Sequence, residues 1–284
     1  MTVDPDETPP DAGAPLEPSD PMPEGMELVA SADGTPIATH TVGVGPAVVI
    51  VSGALSRASD ADELARAFAN AGLQVTTYDR RSRGDSGDAS PAEPLREVED
   101  LAAVIAAAGG EAAVLGHSSG AVLAHYAAGA GVEMTHLFLS EPPYRFGALL
   151  PADDLADRLQ ALVDDGRPGD AVTTFQREAV GLPEEFIVQF AASPAYAATQ
   201  SLARSTVYDT LLTQRVASPT DAMTDVGMPV AILCGTQTMP ILTTAAQRLA
   251  DAMPAAELIE VPESIGHRVD PEATARIVAA RLLG

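Results

Sequence analysis

The sequence has no lysine and no tryptophan, one cysteine among 284 residues, and no apolar run approaching the roughly 20 residues that span a membrane. The lone Cys234 excludes an intrachain disulfide, and its place in the apolar run VAILC favours a packed thiol over a nucleophile. Basic residues are also few, since 16 arginines stand against 40 acidic residues and give a formal charge of −24. That negative charge disfavours nucleic acid and anionic membranes as partners. Neither clustered His and Cys ligands nor a glycine-rich phosphate loop is present, so no metal and no organic cofactor is expected.

The first 24 residues are rich in proline, aspartate and glutamate, a composition that predicts a flexible tail. They contain neither the positively charged segment nor the apolar segment of a signal peptide, so a cytoplasmic protein is expected. The composition leaves the oligomeric state open, and a homo-oligomer is compatible with it.

After this tail, short apolar segments alternate with amphipathic ones. Two strand-like segments joined by the turn signal Asp33-Gly34 are typical of an antiparallel hairpin. The remaining pattern predicts strands at 47–53, 73–79, 112–116, 135–140, 230–235 and 256–262, and helices at 59–71, 91–108, 119–129, 240–252 and from Asp270 onward. Strands that alternate with helices predict an α/β fold with a mostly parallel central sheet and helices on both faces.

The alternation stops between residues 143 and 226, where only helical patterns occur. Seven of the eleven aromatic residues lie in this segment: Tyr144, Phe146, Phe175, Phe186, Phe190, Tyr196 and Tyr208. We expect an inserted helical cap (143–226) over a core formed by 25–142 and 227–284, with a small independent helical bundle as the alternative. An aromatic-bearing cap predicts an enclosed and mainly apolar pocket with few polar anchors.

Residues 116–120 read Gly-His-Ser-Ser-Gly, between a short apolar run and an apolar-faced helical segment. One interpretation is that Ser118 or Ser119 merely caps the helix that follows. The other is a G-x-S-x-G nucleophile elbow, which needs a strand before it, a helix after it and the nucleophile at its centre. Both flanking elements are predicted here, and small residues beside the bend avoid collisions with the neighbouring strand and helix.

The order of elements, this G-x-S-x-G motif, the loop YDRRSRGDSG after a strand, the helical insertion and a late Gly266-His267 pair resemble the capped members of the α/β-hydrolase family. The resemblance extends over nearly all of residues 26–284. It implies Ser118 as the nucleophile, His267 as the general base, and an oxyanion hole made by the backbone N–H groups of Ser119 and Ala54. It also implies that four charged residues brace the loops around the site without taking part in the chemistry: Asp79, Arg80, Arg81 and Arg83.

The acid partner of the histidine departs from the common family pattern. Most relatives place an aspartate in a G-x-x-D pattern after the strand at 230–235, but this sequence has Thr238 there, which cannot carry a negative charge. Some branches place the acid at the end of the strand that follows the elbow helix, and here Glu141 stands at that point. Glu141 could instead pair with Arg145 at the start of the insertion, and Asp270 before Pro271 is typical of a helix cap. We expect Glu141 to be the acid.

A serine at position 118 disfavours the capped relatives that use an aspartate nucleophile, namely haloalkane dehalogenases and epoxide hydrolases. The resemblance therefore implies a serine hydrolase that cleaves an ester or lactone of a hydrophobic small molecule. The order of Ser, Glu and His is similar to that in lactonases acting on the macrocyclic lactone zearalenone. A cofactor-free haloperoxidase-like or perhydrolase activity, a C–C bond hydrolase and a non-catalytic ligand-binding homologue are the alternatives, the last because Thr238 replaces the usual acid.

Overall fold

The computed structural model describes residues 25–284, and the predicted tail at 1–24 lies outside the described residues. Eight strands form one sheet in the order β1-β2-β4-β3-β5-β6-β7-β8. The strands are β1 (Met26–Ala30), β2 (Pro36–Gly43), β3 (Ala47–Val51), β4 (Gln74–Tyr78), β5 (Ala112–His117), β6 (Leu137–Ser140), β7 (Val230–Cys234) and β8 (Glu257–Glu260). β2 is antiparallel to both β1 and β4, and every other pair is parallel, so the predicted hairpin and mostly parallel sheet are both confirmed.

The central strands owe their position to their composition. β3, β5, β6 and β7 consist almost entirely of apolar residues, and nearly all of these residues are buried. Such runs occur in parallel strands that are covered on both faces. The carboxyl ends of β3, β5, β6 and β7 therefore meet at one edge of the sheet, where sites in open α/β folds form.

Helices cover both faces of the sheet. They are α1 (Asp62–Asn70), α2 (Pro94–Ala107), α3 (Ser119–Gly129), α4 (Leu155–Asp164), α5 (Pro168–Thr174), α6 (Glu184–Ala191), α7 (Pro194–Gln200), α8 (Ser205–Arg215), α9 (Asp221–Thr224), α10 (Pro240–Ala252) and α11 (Pro271–Leu282). α1 and α11 pack on one face, while α2, α3 and α10 pack on the other. Among residues 25–284, no helix is both long enough and apolar enough to cross a bilayer.

Residues 143–226 contain α4 to α9 and leave from the end of β6. They have a small apolar core of their own, which includes Leu159, Val172 and Phe175. The pattern at 196–212 predicts one continuous helix, but the structure breaks it into α7 and α8. At the break, the backbone N–H groups of Ser205 and Thr206 donate to carbonyls three residues earlier, a tighter pattern than that of an α-helix. A further departure is a π-helical turn at Phe175–Val180, which the sequence pattern does not predict.

Candidate active site

Ser118 lies on a sharp bend between β5 and α3. Its backbone has φ 54° and ψ −126°, in a region that non-glycine residues rarely adopt. Its N–H donates to Ser140 O of the neighbouring strand β6 over 2.9 Å, and its own carbonyl accepts from Ala121 N at the start of α3. These bonds fix the bend at the carboxyl edge of the sheet, with a strand before it and a helix after it.

The glycines on either side of Ser118 are required by space. A Cβ atom added to Gly116 would lie 2.4 Å from Gly120 O, and one added to Gly120 would lie 2.2 Å from Val51 O. Both distances are far shorter than van der Waals contact, and the atoms involved are backbone atoms that cannot swing away. The spacing of the G-x-S-x-G motif therefore follows from the close packing of β5, α3 and the end of β3.

His267 reaches Ser118 from the loop between β8 and α11. Its Nε2 atom lies 2.9 Å from Ser118 Oγ, and its side chain is about one quarter exposed. The loop is held by the N–H of Gly266, which donates to Gln237 O over 2.8 Å, and His267 itself has a positive φ of 65°. This geometry lets the imidazole take the proton of the Ser118 hydroxyl.

Glu141 follows β6 directly and is almost completely buried. Its Oε2 atom lies 2.5 Å from His267 Nδ1, and its Oε1 atom accepts from the backbone N–H of Gly235 at 2.9 Å. Burial by itself raises the pKa of Glu141, but the hydrogen bonds from His267 and Gly235 outweigh it and lower this pKa below its usual value. Glu141 is therefore an ionised acceptor, which places the imidazole proton on Nδ1 and leaves Nε2 free to accept from Ser118.

Thr238 and Arg145 both have roles that differ from the simplest sequence interpretation. Thr238 occupies the usual place of the acid, and its hydroxyl donates to Glu141 Oε2 over 3.1 Å. Arg145 does not pair with Glu141, because its Nη2 atom donates instead to the carbonyls of Ala179 and Val180. The structure thus brings Ser118, His267 and Glu141 into one hydrogen-bonded chain, and Thr238 supports the carboxylate from the position where relatives carry the acid.

Asp270 has the capping geometry that the sequence predicts. Its side chain accepts from Ala273 N over 2.8 Å at the start of α11. This carboxylate is therefore engaged with the helix, and Glu141 is the carboxylate that contacts the ring of His267.

Two backbone N–H groups that line the pocket beside Ser118 have no partner in the described part of the chain. Ser119 begins α3, Ala54 follows β3, and both residues line the pocket that contains Ser118 and His267. Within residues 25–284, neither N–H donates to a backbone or side-chain acceptor. Unpaired N–H groups next to a hydroxyl can bind a negative charge that develops on an oxygen atom.

His117 lies close to the site, with its ring beside that of His267. Its ring centroid is 4.7 Å from that of His267, and its Nδ1 atom is 3.2 Å from Ser140 Oγ. Burial, together with the neighbouring His267, lowers the pKa of His117 to about 3. His117 is therefore neutral near pH 7 and packs beside His267 without adding a charge. No sequence signal distinguishes it, because it occupies a variable position of the motif.

A buried group of charges lies under the pocket floor and joins the insertion to the core. Asp209 of α8 accepts from Arg80 Nη1 at 3.0 Å and from Arg83 Nη2 at 2.8 Å, while Arg80 also pairs with Glu97. Arg80 Nη1 further approaches Ser119 Oγ at 3.3 Å. All four charged side chains are about 1% exposed or less. The family resemblance implies bracing roles for the two arginines but does not single out Asp209.

The pocket above Ser118 holds about 660 Å³ of empty space, part of it open to solvent. Apolar residues supply most of its lining: Ala54, Pro143, Pro151, Phe175, Ala179, Val180, Met239, Ile241 and Leu242. The mainly apolar lining agrees with the sequence prediction, and among the aromatic residues of the insertion Phe175 contributes to it. Met239, Ile241 and Leu242 come from the region between β7 and α10. Among residues 25–284, no group of three or more His, Cys, Asp or Glu side chains forms a metal site.

Comparison with known proteins gives the same architecture. A family model described as the alpha/beta hydrolase family matches residues 48–280. A crystal structure of an alpha/beta hydrolase from Sphaerobacter thermophilus is 40% identical, with a TM-score of 0.82, covering 89% of this chain and 99% of that one. No curated protein matches the chain by sequence.

Two more distant structures share the fold. An esterase from Exiguobacterium antarcticum has a TM-score of 0.67 and 17% identity, covering 90% of this chain and 99% of that one. An enol-lactonase from Burkholderia xenovorans has a TM-score of 0.66 and 16% identity, covering 91% of this chain and 100% of that one. At these identities the likeness is one of architecture.

Proposed function

The chain belongs to the alpha/beta hydrolase family, and on this premise we propose that it is a serine hydrolase that cleaves a carboxylic ester or lactone of a small, largely apolar molecule. Ser118 is the nucleophile, His267 the general base and Glu141 the acid. The observation that carries the proposal is the continuous hydrogen-bonded chain from Glu141 through His267 to Ser118. A neutral serine hydroxyl attacks a carbonyl poorly, and this arrangement is what raises its reactivity.

In the first half of the reaction, Ser118 Oγ attacks the carbonyl carbon while His267 Nε2 takes the hydroxyl proton. The imidazolium that forms is stabilised by the ionised carboxylate of Glu141 at 2.5 Å. The negative charge on the carbonyl oxygen is received by the N–H groups of Ala54 and Ser119. His267 then gives its proton to the leaving alcohol, and the acyl group remains on Ser118.

In the second half, His267 takes a proton from water, and the hydroxide attacks the acyl carbon. The same two N–H groups stabilise the second oxyanion, and the acid product leaves Ser118 after His267 returns the proton. Losing one such oxyanion donor typically costs about 10²- to 10³-fold in rate. No metal or organic cofactor takes part in this proposed sequence.

The substrate class is proposed from the pocket and from the relatives. The lining of the pocket is mostly apolar, as is typical of small-molecule sites. The helical insertion acts as the cap over this pocket in our proposal. Structures of an esterase and an enol-lactonase are among the similar folds. A macrocyclic lactone such as zearalenone is included in the proposed substrate class because of the order of Ser, Glu and His in the chain. We also propose a cytoplasmic location for the protein.

A fluorophosphonate probe tests the nucleophile. We expect the wild type to be labelled, Ser118→Ala to be unlabelled, and Ser119→Ala to keep its label because that residue contributes a backbone N–H that alanine retains. Labelling of neither the wild type nor Ser119→Ala would refute the enzyme proposal and favour a ligand-binding homologue. Labelling of Ser118→Ala at the wild-type rate would refute Ser118 as the nucleophile.

Hydrolysis of p-nitrophenyl butyrate, followed by the absorbance of the released p-nitrophenolate, tests the reaction class. We expect turnover that disappears in Ser118→Ala. A protein that is labelled at Ser118 but hydrolyses no ester or lactone would contradict the ester proposal. It would direct attention to C–C bond hydrolysis or, with added hydrogen peroxide, to perhydrolysis.

A further inference from the structure

Arg145 is a cation in the wall of the Ser118 pocket, four residues after Glu141. The connection from β6 contains two prolines, and Tyr144 is buried with its hydroxyl 2.9 Å from His125 Nδ1. The backbone N–H of Arg145 donates to Ala217 O over 2.8 Å. These anchors hold Arg145 at the pocket wall.

The guanidinium of Arg145 has no anionic partner among residues 25–284. Its Nη2 atom donates to Ala179 O at 2.6 Å and to Val180 O at 3.3 Å, and both of these residues line the same pocket. Its Nε and Nη1 atoms donate to no protein acceptor in the described part of the chain. Burial lowers the pKa of Arg145, which is half-buried, below its usual value.

The other charges in the pocket wall do not neutralise Arg145. Asp209 also lines the pocket, but its two carboxylate oxygens already accept from Arg80 and Arg83. Glu141 is buried behind His267 and accepts from Gly235, Thr238 and His267. The pocket therefore presents an unmatched positive charge among apolar residues, within the same cavity as the reactive hydroxyl.

We propose that Arg145 binds a carboxylate of the substrate, so that the molecule hydrolysed at Ser118 carries an acidic group as well as the ester or lactone. This inference rests on the proposed function and specifies its substrate class. A single guanidinium matches a singly charged carboxylate, whereas a doubly charged phosphate would leave one charge without a partner in an apolar pocket. A neutral macrocyclic lactone carries no anion to pair with this cation, so the inference favours acidic esters and lactones over zearalenone.

Binding to Ser118→Ala tests the inference without turnover. The probes are the monomethyl esters of succinic, glutaric and adipic acids, each compared by NMR titration with the neutral dimethyl ester of the same length. We expect at least one monomethyl ester to bind more tightly than its dimethyl partner. Adding Arg145→Gln should weaken the monomethyl ester about 10- to 100-fold, which is the range for losing a hydrogen bond to a charged group, and leave the dimethyl ester within about threefold.

Two further variants separate recognition from general damage. Arg215→Gln removes the same charge from an exposed position of α8 outside the pocket and should leave both ligands unchanged. Arg145→Lys keeps the charge and should recover part of the preference. Equal weakening of both ester types by Arg145→Gln, or no preference for a monomethyl ester at any of the three lengths, would overturn the inference.

Kinetics on the active enzyme provide a second readout. The substrates are p-nitrophenyl hydrogen adipate and its neutral methyl ester, and we expect kcat/KM for the acidic substrate alone to fall in Arg145→Gln. If Ser118 is labelled and the neutral substrate is hydrolysed without any Arg145-dependent preference, the proposed function stands and this inference fails. If the probe labels nothing while the NMR preference is found, the hydrolase proposal fails and acid recognition remains.

Discussion

Replacing Glu141 with glutamine keeps the shape of the side chain but changes what it can offer to His267. The carboxylate accepts on both sides, from Gly235 N–H at Oε1 and from His267 at Oε2. A glutamine has one acceptor and one donor in these two places. If its oxygen faces Gly235, its NH₂ group faces Nδ1 and selects the imidazole tautomer that carries its proton on Nε2. That tautomer cannot take the proton of Ser118.

The opposite orientation of the glutamine is also unfavourable, because it directs the NH₂ group at the N–H of Gly235. Each of these two buried donors without an acceptor costs about 1–3 kcal/mol, or about 5- to 150-fold in population. The inactive tautomer is therefore favoured, and any active molecules lack the negative charge that stabilises the imidazolium. We expect a fall in kcat of about 10³- to 10⁴-fold, in line with the effect of amide substitutions of triad acids.

The measurement is kcat and KM for p-nitrophenyl butyrate at pH 7, together with the melting temperature of each variant. KM should change little, since Glu141 does not line the pocket. Thr238→Val is the matched control, because it removes the other side-chain donor to the same Oε2 atom and nearly preserves volume. It should cost less than about tenfold in kcat, because the carboxylate keeps its charge and its hydrogen bonds from His267 and Gly235. Glu141→Gln retaining more than a tenth of the activity, or Thr238→Val losing as much as Glu141→Gln, would refute this reasoning.

Two other predictions concern stability. Asp209→Asn should lower the free energy of unfolding by about 3–5 kcal/mol, because Arg80 and Arg83 would lose their buried counter-charge. Glu263→Gln is the control, because it breaks only an exposed ion pair, and its melting temperature should shift by no more than about 2–4 °C. His125 has a pKa lowered to about 4 by burial, so unfolding takes up a proton between this value and the ordinary His value, and stability rises with pH in that window. We expect His125→Gln to reduce the slope of the unfolding free energy there by up to about 1.4 kcal/mol per pH unit in urea titrations, and an unchanged slope would contradict the assigned protonation.

The sequence predicts the sheet well because its signals are local. Apolar runs of four to seven residues between helical segments indicate buried parallel strands, and those strands are found close to the expected bounds. The position of Glu141 next to His267 follows from the same topology. β6 pairs with β7, with Ser140 opposite Leu233, so the residue after β6 and the loop after β7 meet at one edge. A carboxylate at the end of β6 or at the end of β7 can therefore contact the imidazole of His267.

The pocket wall is harder to predict, because it depends on how the insertion folds back over the sheet. Helical periodicity marks which face of a segment is apolar but does not say which buried polar residue meets which loop. Asp209 lies on a helix that is buried on most sides, so its place beside Arg80 and Arg83 leaves no trace in the pattern. The sequence suggests Arg145 only as a possible partner of Glu141, because its place in the pocket wall and its contacts with Ala179 and Val180 depend on how the insertion folds.

Ser118, Glu141 and His267 all have positive φ angles, of 54°, 47° and 65°, and none of them is glycine. Each such conformation is disfavoured by roughly 1–3 kcal/mol, so the three together oppose folding by an amount comparable with the net stability of an ordinary domain, about 5–15 kcal/mol. The surrounding sheet and helices must hold these residues in place against their intrinsic preferences. Mutations that loosen the scaffold far from the pocket should thus disorder the reactive groups before they unfold the chain, and activity should be lost at lower temperatures than secondary structure.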